Sequence, residues 1–142
     1  MTSNPNPPDS RKQILDDHRA IGELLGMIAA CAQADEMTAS LQQLMPLLVR
    51  HFKSEEDEID GLHANIRKRT PQQQNALLSL KDEHKQLVDR VQLLLSIAQE
   101  TKGGGPKLQL LGKQLQERLA AHEAKETELF LDSIWTDIGE GD

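Results

Sequence analysis

Apolar side chains recur along this sequence at alternating steps of three and four residues, a spacing that restricts the chain to helical structure. Four separate stretches carry the pattern, and in each stretch the recurring positions lie on one face of an α-helix. The four stripes consist of Ile14, His18, Ile21, Leu25 and Ile28, then Leu41, Leu44, Leu48, His51, Glu55 and Glu58 or Ile59, then Leu77, Leu80, His84, Leu87, Val91, Leu94 and Ala98, and finally Leu108, Leu111, Leu115, Leu119, His122, Glu126 and Leu129. Helices that each bury one such stripe predict an all-α protein, an antiparallel up-down-up-down four-helix bundle.

Prolines and glycines mark the boundaries between these stretches. The predicted helices run from about Ser10 to Ala34, from Thr38 to about Arg69, from Pro71 to the glycine-rich loop at 103–106, and from that loop to about Ile138. Within the second helix, Pro46 predicts a kink and Gly61 is a weak point. At 142 residues the chain has the length of one domain, so we expect a disordered leader over residues 1–10 and one helical domain over residues 11–138.

The charge and the aromatic content argue against several classes of function. With 16 Lys and Arg against 23 Asp and Glu, the net charge of -7 repels phosphate backbones, so we expect no nucleic-acid partner. The chain has no tyrosine, one tryptophan and two phenylalanines, which leaves base-stacking surfaces and tyrosyl-radical chemistry without their side chains.

The cysteine content and the hydropathy pattern predict the compartment. Cys31 is the only cysteine, which excludes an intrachain disulfide and an all-cysteine metal cluster. No apolar run approaches the roughly 20 residues that a membrane helix needs, so we expect no membrane partner. The polar, proline-rich N-terminal residues are unlike a signal peptide. We therefore expect a cytoplasmic protein that is a monomer or a homodimer.

Six ionisable side chains occupy positions in the apolar stripes where aliphatic residues are expected, and these are His18, His51, Glu55, His84, His122 and Glu126. In an alternating bundle, the beginning of the first and third helices lies beside the end of the second and fourth helices. His18 and His84 lie early in their helices, whereas the two His-x-x-x-Glu pairs lie late. All six side chains are therefore expected to converge at one end of the bundle core.

The His-x-x-x-Glu spacing places an imidazole and a carboxylate side by side, because residues four apart lie on the same helix face. A single histidine on an apolar face is more often a satisfied core residue, and one such pair arises by accident on charged helices. Two pairs, each matched by a histidine on a neighbouring helix, indicate two equivalent metal positions in a pseudo-twofold site. Imidazole with carboxylate suits iron, manganese or zinc, and bridging carboxylates favour two iron ions per chain.

The residues that carry this pattern resemble the hemerythrin-like, or HHE cation-binding, family. The resemblance covers roughly residues 11–135 and rests on the motifs Asp17-His18, His51-x-x-x-Glu55-Glu56, Glu83-His84 and His122-x-x-x-Glu126-x-x-Leu129-Phe130. It implies a four-helix bundle with a carboxylate-bridged di-iron centre that binds oxygen, nitric oxide or peroxide. Carried over to this sequence, the ligands would be the six side chains that interrupt the stripes.

One position departs from the oxygen carriers of that family, which have a second histidine one turn from the first on the third helix. Here Leu80 and Val88 occupy the positions one turn either side of His84. The remaining set of four histidines and two glutamates is similar to that of the iron-centre repair proteins of nitrosative stress. Such a set leaves coordination positions open on both metals.

The fifth histidine, His63, follows His51 by 12 residues (63 - 51), which is about 18 Å along a continuous helix. That distance is too long for a ligand of the same site unless the helix breaks at Gly61. Asp17 and Glu83 are candidates to orient the ligands, and four further glutamates are expected to be solvated or to support them from outside: Glu56, Glu58, Glu123 and Glu128.

Three functional hypotheses follow from the sequence. In the first, the protein binds or senses oxygen, nitric oxide or peroxide at a di-iron site, or handles iron under oxidative or nitrosative stress. In the second, the same site is that of an enzyme that reduces nitric oxide or decomposes peroxide, although no sequence feature identifies a general acid. In the third, the protein is a metal-stabilised interaction bundle without a redox role.

Overall fold

The structure is a computed structural model that describes the backbone of residues 7–140 and the side chains of residues 12–136. Its elements are α1 (Pro7–Ala30), α2 (Ala34–Glu56), α3 (Leu62–Arg69), a single 3-10 turn (Pro71–Gln73), α4 (Gln74–Glu100) and α5 (Pro106–Glu140). Helices make up almost all of the described backbone, and no strand occurs within it. The predicted all-α class is confirmed.

The four long helices share one apolar core. Helix α1 packs against α2 and α5, and α4 packs against the same two helices from the other side, while the short α3 packs mainly against α5. The core consists of most of the aliphatic members of the four stripes together with Cys31, Ala34, Met37 and Phe52, whereas Ile59 of the second predicted stripe is 74% exposed. None of the helices in the described part of the chain is long and apolar enough to cross a membrane.

The first connection lies four residues earlier than predicted. Helix α1 ends at Ala30 and α2 begins at Ala34, whereas the prediction extended the first helix to Ala34 and began the second at Thr38. Helix α1 also begins at Pro7 rather than at Ser10, as expected for prolines in a first helical turn. Residues 1–6 of the expected leader lie outside the described residues.

The loop between α1 and α2 and the loop between α4 and α5 lie at the same end of the bundle, where backbone hydrogen bonds join them. The Ala34 amide donates to the Gly103 carbonyl at 2.6 Å, and the Gly105 amide donates to the Ala32 carbonyl at 2.9 Å. Between these bonds, a Cβ added to Gly104 would lie 1.6 Å from the Ala32 carbonyl oxygen. The predicted glycine-rich loop is therefore present, and its middle glycine is required by the close approach of the other loop.

The prediction of one helix from Thr38 to Arg69 is wrong, because α2 ends at Glu56 and a turn separates it from α3. The Asp57 carboxylate accepts hydrogen bonds from the amides of Ile59 and Asp60, both at 2.9 Å, and so competes with the helical backbone. The Gly61 amide donates to the Asp57 carbonyl at 2.9 Å, and a Cβ on Gly61 would lie 2.5 Å from that oxygen. Pro46, in contrast, lies inside α2 without ending it.

Candidate metal centre

The structure brings all six predicted site residues together at the end of the bundle away from the two joined loops. Helix α1 contributes His18, α2 contributes His51 and Glu55, α4 contributes His84, and α5 contributes His122 and Glu126. Five of the six side chains are buried, and only His18 is partly exposed, at 24%. Their convergence follows from the stripe positions, as the sequence predicts.

Glu55 lies between the imidazoles of the two halves of the bundle. Its Oε2 is 3.3 Å from Nε2 of His18 and 3.1 Å from Nε2 of His51. Its Oε1 is 3.3 Å from Nε2 of His84 on the opposite helix. One carboxylate therefore faces imidazole nitrogens from three different helices.

Glu126 lies on the α4 and α5 side of the centre. Its Oε1 is 3.3 Å from Nε2 of His122, and its Oε2 is 3.4 Å from Nε2 of His84. The same Oε2 is 2.8 Å from Nε2 of His63. The sequence analysis placed His63 too far away unless the helix breaks at Gly61, and the structure has that break between Glu56 and Leu62.

The ligand-type atoms form two groups that share one residue. One group consists of His18, His51 and Glu55, and the other of Glu55, His84, His122 and Glu126, with the atoms of each group within 4.8 Å of one another. Both groups present imidazole Nε2 atoms and carboxylate oxygens. The shared residue is Glu55, whose two oxygens are divided between the two groups.

Carboxylates face the outer nitrogens of three of these imidazoles. Nδ1 of His122 lies 2.9 Å from Oε1 of Glu83, and Nδ1 of His84 forms a hydrogen bond with Oε2 of Glu56. Nδ1 of His51 lies 3.5 Å from Oδ2 of Asp17. Such outer partners orient an imidazole so that its Nε2 points inward. Asp17 and Glu83 were predicted in this role, whereas Glu56 was expected to be solvated or to act from outside.

The outer carboxylates are themselves held in place by neighbouring side chains. Gln13 donates a hydrogen bond to Asp17 at 2.8 Å, and Arg50 lies 3.4 Å from the same carboxylate. Lys125 donates to Glu83 at 2.9 Å. The pKa of Glu83 is lowered, because hydrogen bonds with Lys125 and His122 outweigh the effect of its partial burial. Glu83 is therefore ionised while it orients the imidazole.

Several inward-facing atoms of the centre are buried and lack a hydrogen-bond partner. They are Oε1 of Glu55, Nε2 of His84, Nε2 of His122 and Oε1 of Glu126. A buried polar group without a partner costs about 1–3 kcal/mol each. All four are atoms that bind divalent cations, and they face a common space. The donor set therefore fits a bound metal, which would satisfy each of them.

Without a cation, the centre stabilises charge on its own side chains. Burial alone would raise the pKa of Glu55, but the close imidazoles of His18, His51 and His84 outweigh it and lower the pKa to about 2. Burial likewise opposes the charged form of His84, yet the close carboxylates of Glu126, Glu55 and Glu56 raise its pKa to about 10. The pKa of Glu126 is also lowered, because its imidazole neighbours outweigh its burial. The metal-free centre therefore holds protonated imidazoles against ionised carboxylates.

Phe52 forms the apolar wall of the centre. Its ring stacks on His84 with the ring centres 3.9 Å apart and an angle of 7° between the planes, and it lies edge-on to His122 at 5.6 Å. The sequence analysis did not identify Phe52. It follows His51 directly, but its contacts come from two other helices and carry no local sequence signal.

A groove on the surface between α2 and α4 reaches this wall. Its volume is about 360 Å³, and its lining includes Phe52, Glu56, His84 and Val88 together with the stems of Lys53 and Lys85. His84 and its stacking partner Phe52 therefore border an open surface groove.

Comparisons with known proteins were made at the level of families, curated proteins and solved structures. A family model described as Hemerythrin HHE cation binding domain matches residues 9–134. No curated protein and no solved structure matched the chain. The match spans all six predicted site residues and His63.

Proposed function

The chain belongs to the hemerythrin HHE cation binding domain family, and from that membership we propose that it binds two iron ions in the centre formed by four of its histidines and two glutamates. The observation that carries the proposal is the set of buried, inward-facing nitrogen and oxygen atoms that no protein group satisfies. Imidazole and carboxylate donors with a shared carboxylate favour iron, although zinc and manganese suit the same donors.

In this proposal, His18, His51 and Glu55 hold one ion, and His84, His122 and Glu126 hold the other. The two groups of ligand-type atoms share Glu55, which supports a carboxylate that contacts both ions. Glu56, Glu83 and Asp17 orient the imidazoles from outside. A pair of bound iron ions would supply redox chemistry and open positions for a small ligand.

We also propose the up-down-up-down antiparallel topology for the four long helices. The early residue His18 of α1 lies beside the late residues His51 and Glu55 of α2, while the loops that follow α1 and α4 are joined at the opposite end. Both contacts are those expected when successive helices alternate in direction.

The proposed ligand is oxygen, nitric oxide or peroxide, bound or sensed at the iron pair, or iron itself handled under oxidative or nitrosative stress. The groove between α2 and α4 supports this part, because His84 and Phe52 both line it and their rings stack on one another. We propose a cytoplasmic role, since the single cysteine suits a reducing compartment.

Metal analysis of protein purified without added metal tests the proposal. We expect an iron content of about two ions per chain, one for each ligand group, and an optical spectrum typical of a bridged iron pair. Glu126→Gln should lose most of one ion because an amide is a poorer ligand than a carboxylate. Glu128→Gln is the matched control, since Glu128 is exposed on the same helix and should retain both ions.

Four results separate the alternatives. Iron content below one ion per chain, with the unfolding temperature unchanged by a chelator, would contradict metal binding altogether. Stoichiometric uptake of nitric oxide or peroxide without consumption supports binding or sensing, whereas repeated consumption with a supplied reductant supports the alternative of a di-iron enzyme. A metal-stabilised interaction bundle without a redox role would show chelator sensitivity but no change on oxidation.

A further inference from the structure

His63 is the one histidine that belongs to neither group of ligand-type atoms. Its side chain is 5% exposed and its Nε2 contacts Oε2 of Glu126 at 2.8 Å, the shortest imidazole contact of that carboxylate. Because an ionised carboxylate only accepts hydrogen bonds, Nε2 of His63 is the donor. One oxygen of Glu126 is therefore held by a group outside the two ligand sets.

Helix α3 fixes the position of this imidazole. Its Ala64 and Ile66 side chains are buried, and Thr70 at its end donates through Oγ1 to the Ile66 carbonyl at 2.9 Å. The guanidinium of Arg69 lies 5.8 Å from the centre of the Phe130 ring on α5. His63 thus comes from an anchored element rather than from a free loop.

The hydrogen bond makes the two glutamates of the centre different. Oε2 of Glu126 is occupied by His63, and Oε1 remains the oxygen without a partner. Glu55 has no such contact from outside the ligand groups, and its two oxygens face imidazoles on both sides. The pseudo-twofold relation expected from the sequence is therefore broken at His63.

We propose that His63 is a positioning residue that holds Glu126 with Oε1 turned toward His122, and that it thereby makes the two cation positions unequal. This inference rests on the proposed metal-binding function. The position on the α4 and α5 side has four fully buried donors and a fixed carboxylate, whereas the other position includes the partly exposed His18. The α4 and α5 position is the tighter of the two.

A stepwise titration of the metal-free full chain with Co²⁺ tests the inference, since the visible absorption of this probe ion depends on its ligands. Wild-type protein should bind in two steps of different affinity. His63→Leu removes the donor and should weaken the tighter step by roughly tenfold to 100-fold, the usual effect of losing an outer partner of a ligand. His63→Gln keeps a donor near the position of Nε2 and should retain an affinity and a spectrum close to wild type.

Lys68→Ala is the matched control, because Lys68 is an exposed residue of the same helix. It should leave both Co²⁺ steps unchanged. Binding by His63→Leu that equals wild type overturns the inference alone. An equal loss in His63→Leu and His63→Gln also overturns it, because that is the result for a direct ligand. A wild-type chain that binds no Co²⁺ overturns the proposed function, and the inference with it.

Discussion

The two ends of the bundle use the same stripe spacing for opposite purposes. At the end with the joined loops, the buried positions hold Leu41 and Ala98 of the stripes together with Ala34 and Met37, each at most 2% exposed. At the other end, positions of the same stripes hold imidazoles and carboxylates, all but His18 of them buried. The apolar end is stabilised by packing and by backbone hydrogen bonds between its loops, whereas the polar end gathers charged groups whose inward-facing atoms lack partners. The comparison distinguishes the apolar residues that stabilise the fold from the polar residues that are proposed to bind metal.

The largest effect is expected at the apolar end. Leu41→Ala should lower the free energy of unfolding by about 3 kcal/mol, because Leu41 is fully buried and its truncation leaves a cavity. Chemical denaturation of the metal-loaded and the chelated protein measures it. The loss should be the same in both forms, since Leu41 lies far along α2 from the centre. A loss that differs between the two forms would show that the ends are energetically coupled.

A smaller loss is expected where the two loops meet. Gly104→Ala should destabilise the protein by about 2 kcal/mol, because its Cβ would overlap the Ala32 carbonyl and push the loops apart. Gly22→Ala is the matched control in α1, where an added Cβ meets nothing and should stabilise the helix by roughly 0.5–1 kcal/mol. Thermal unfolding of both variants gives the signs. A neutral Gly104→Ala would mean that the loop contact contributes little to the apolar end.

A pH dependence is expected that is confined to the polar end. The pKa of His84 is raised from 6.5 to about 10, so its stabilising contribution is complete below pH 6.5 and is lost as the pH rises toward 10. The pKa of Glu55 is lowered from 4.5 to about 2, so its contribution is complete above pH 4.5 and is lost as the pH falls toward 2. The metal-free protein should therefore be most stable between about pH 4.5 and 6.5.

The metal-loaded protein should behave differently, because a cation needs neutral imidazoles and competes with protons for them. The difference in unfolding temperature between the metal-loaded and the metal-free form should increase by a few degrees between pH 6 and pH 8. Scanning calorimetry of both forms across that range measures the difference. A gap that narrows as the pH rises would contradict the assignment of these imidazoles as ligands.

Most of the centre was predictable because its signals are local. A histidine in an aliphatic stripe position, as at His51 or His122, points into the core wherever the helix goes. The contact between His63 and Glu126 was not predictable in the same way. The break after Asp57 depends on a side chain that competes with the helical backbone, and the segment Asp57-Glu58-Ile59-Asp60-Gly61 was the only signal available for it. Phe52 carried no signal of its own.

The sequence by itself determined that this chain is helical, that four apolar stripes pack together, and that two histidine–glutamate pairs and two further histidines share one end of the core. Periodicity decides these points because each depends on residues within a few turns of one another. Only the tertiary structure decided that His63 reaches Glu126 and that Glu55 lies between the two groups. Those contacts depend on where one short helix turns back and on how helices distant in sequence pack against one another. The local spacing of residues does not determine distances across the core.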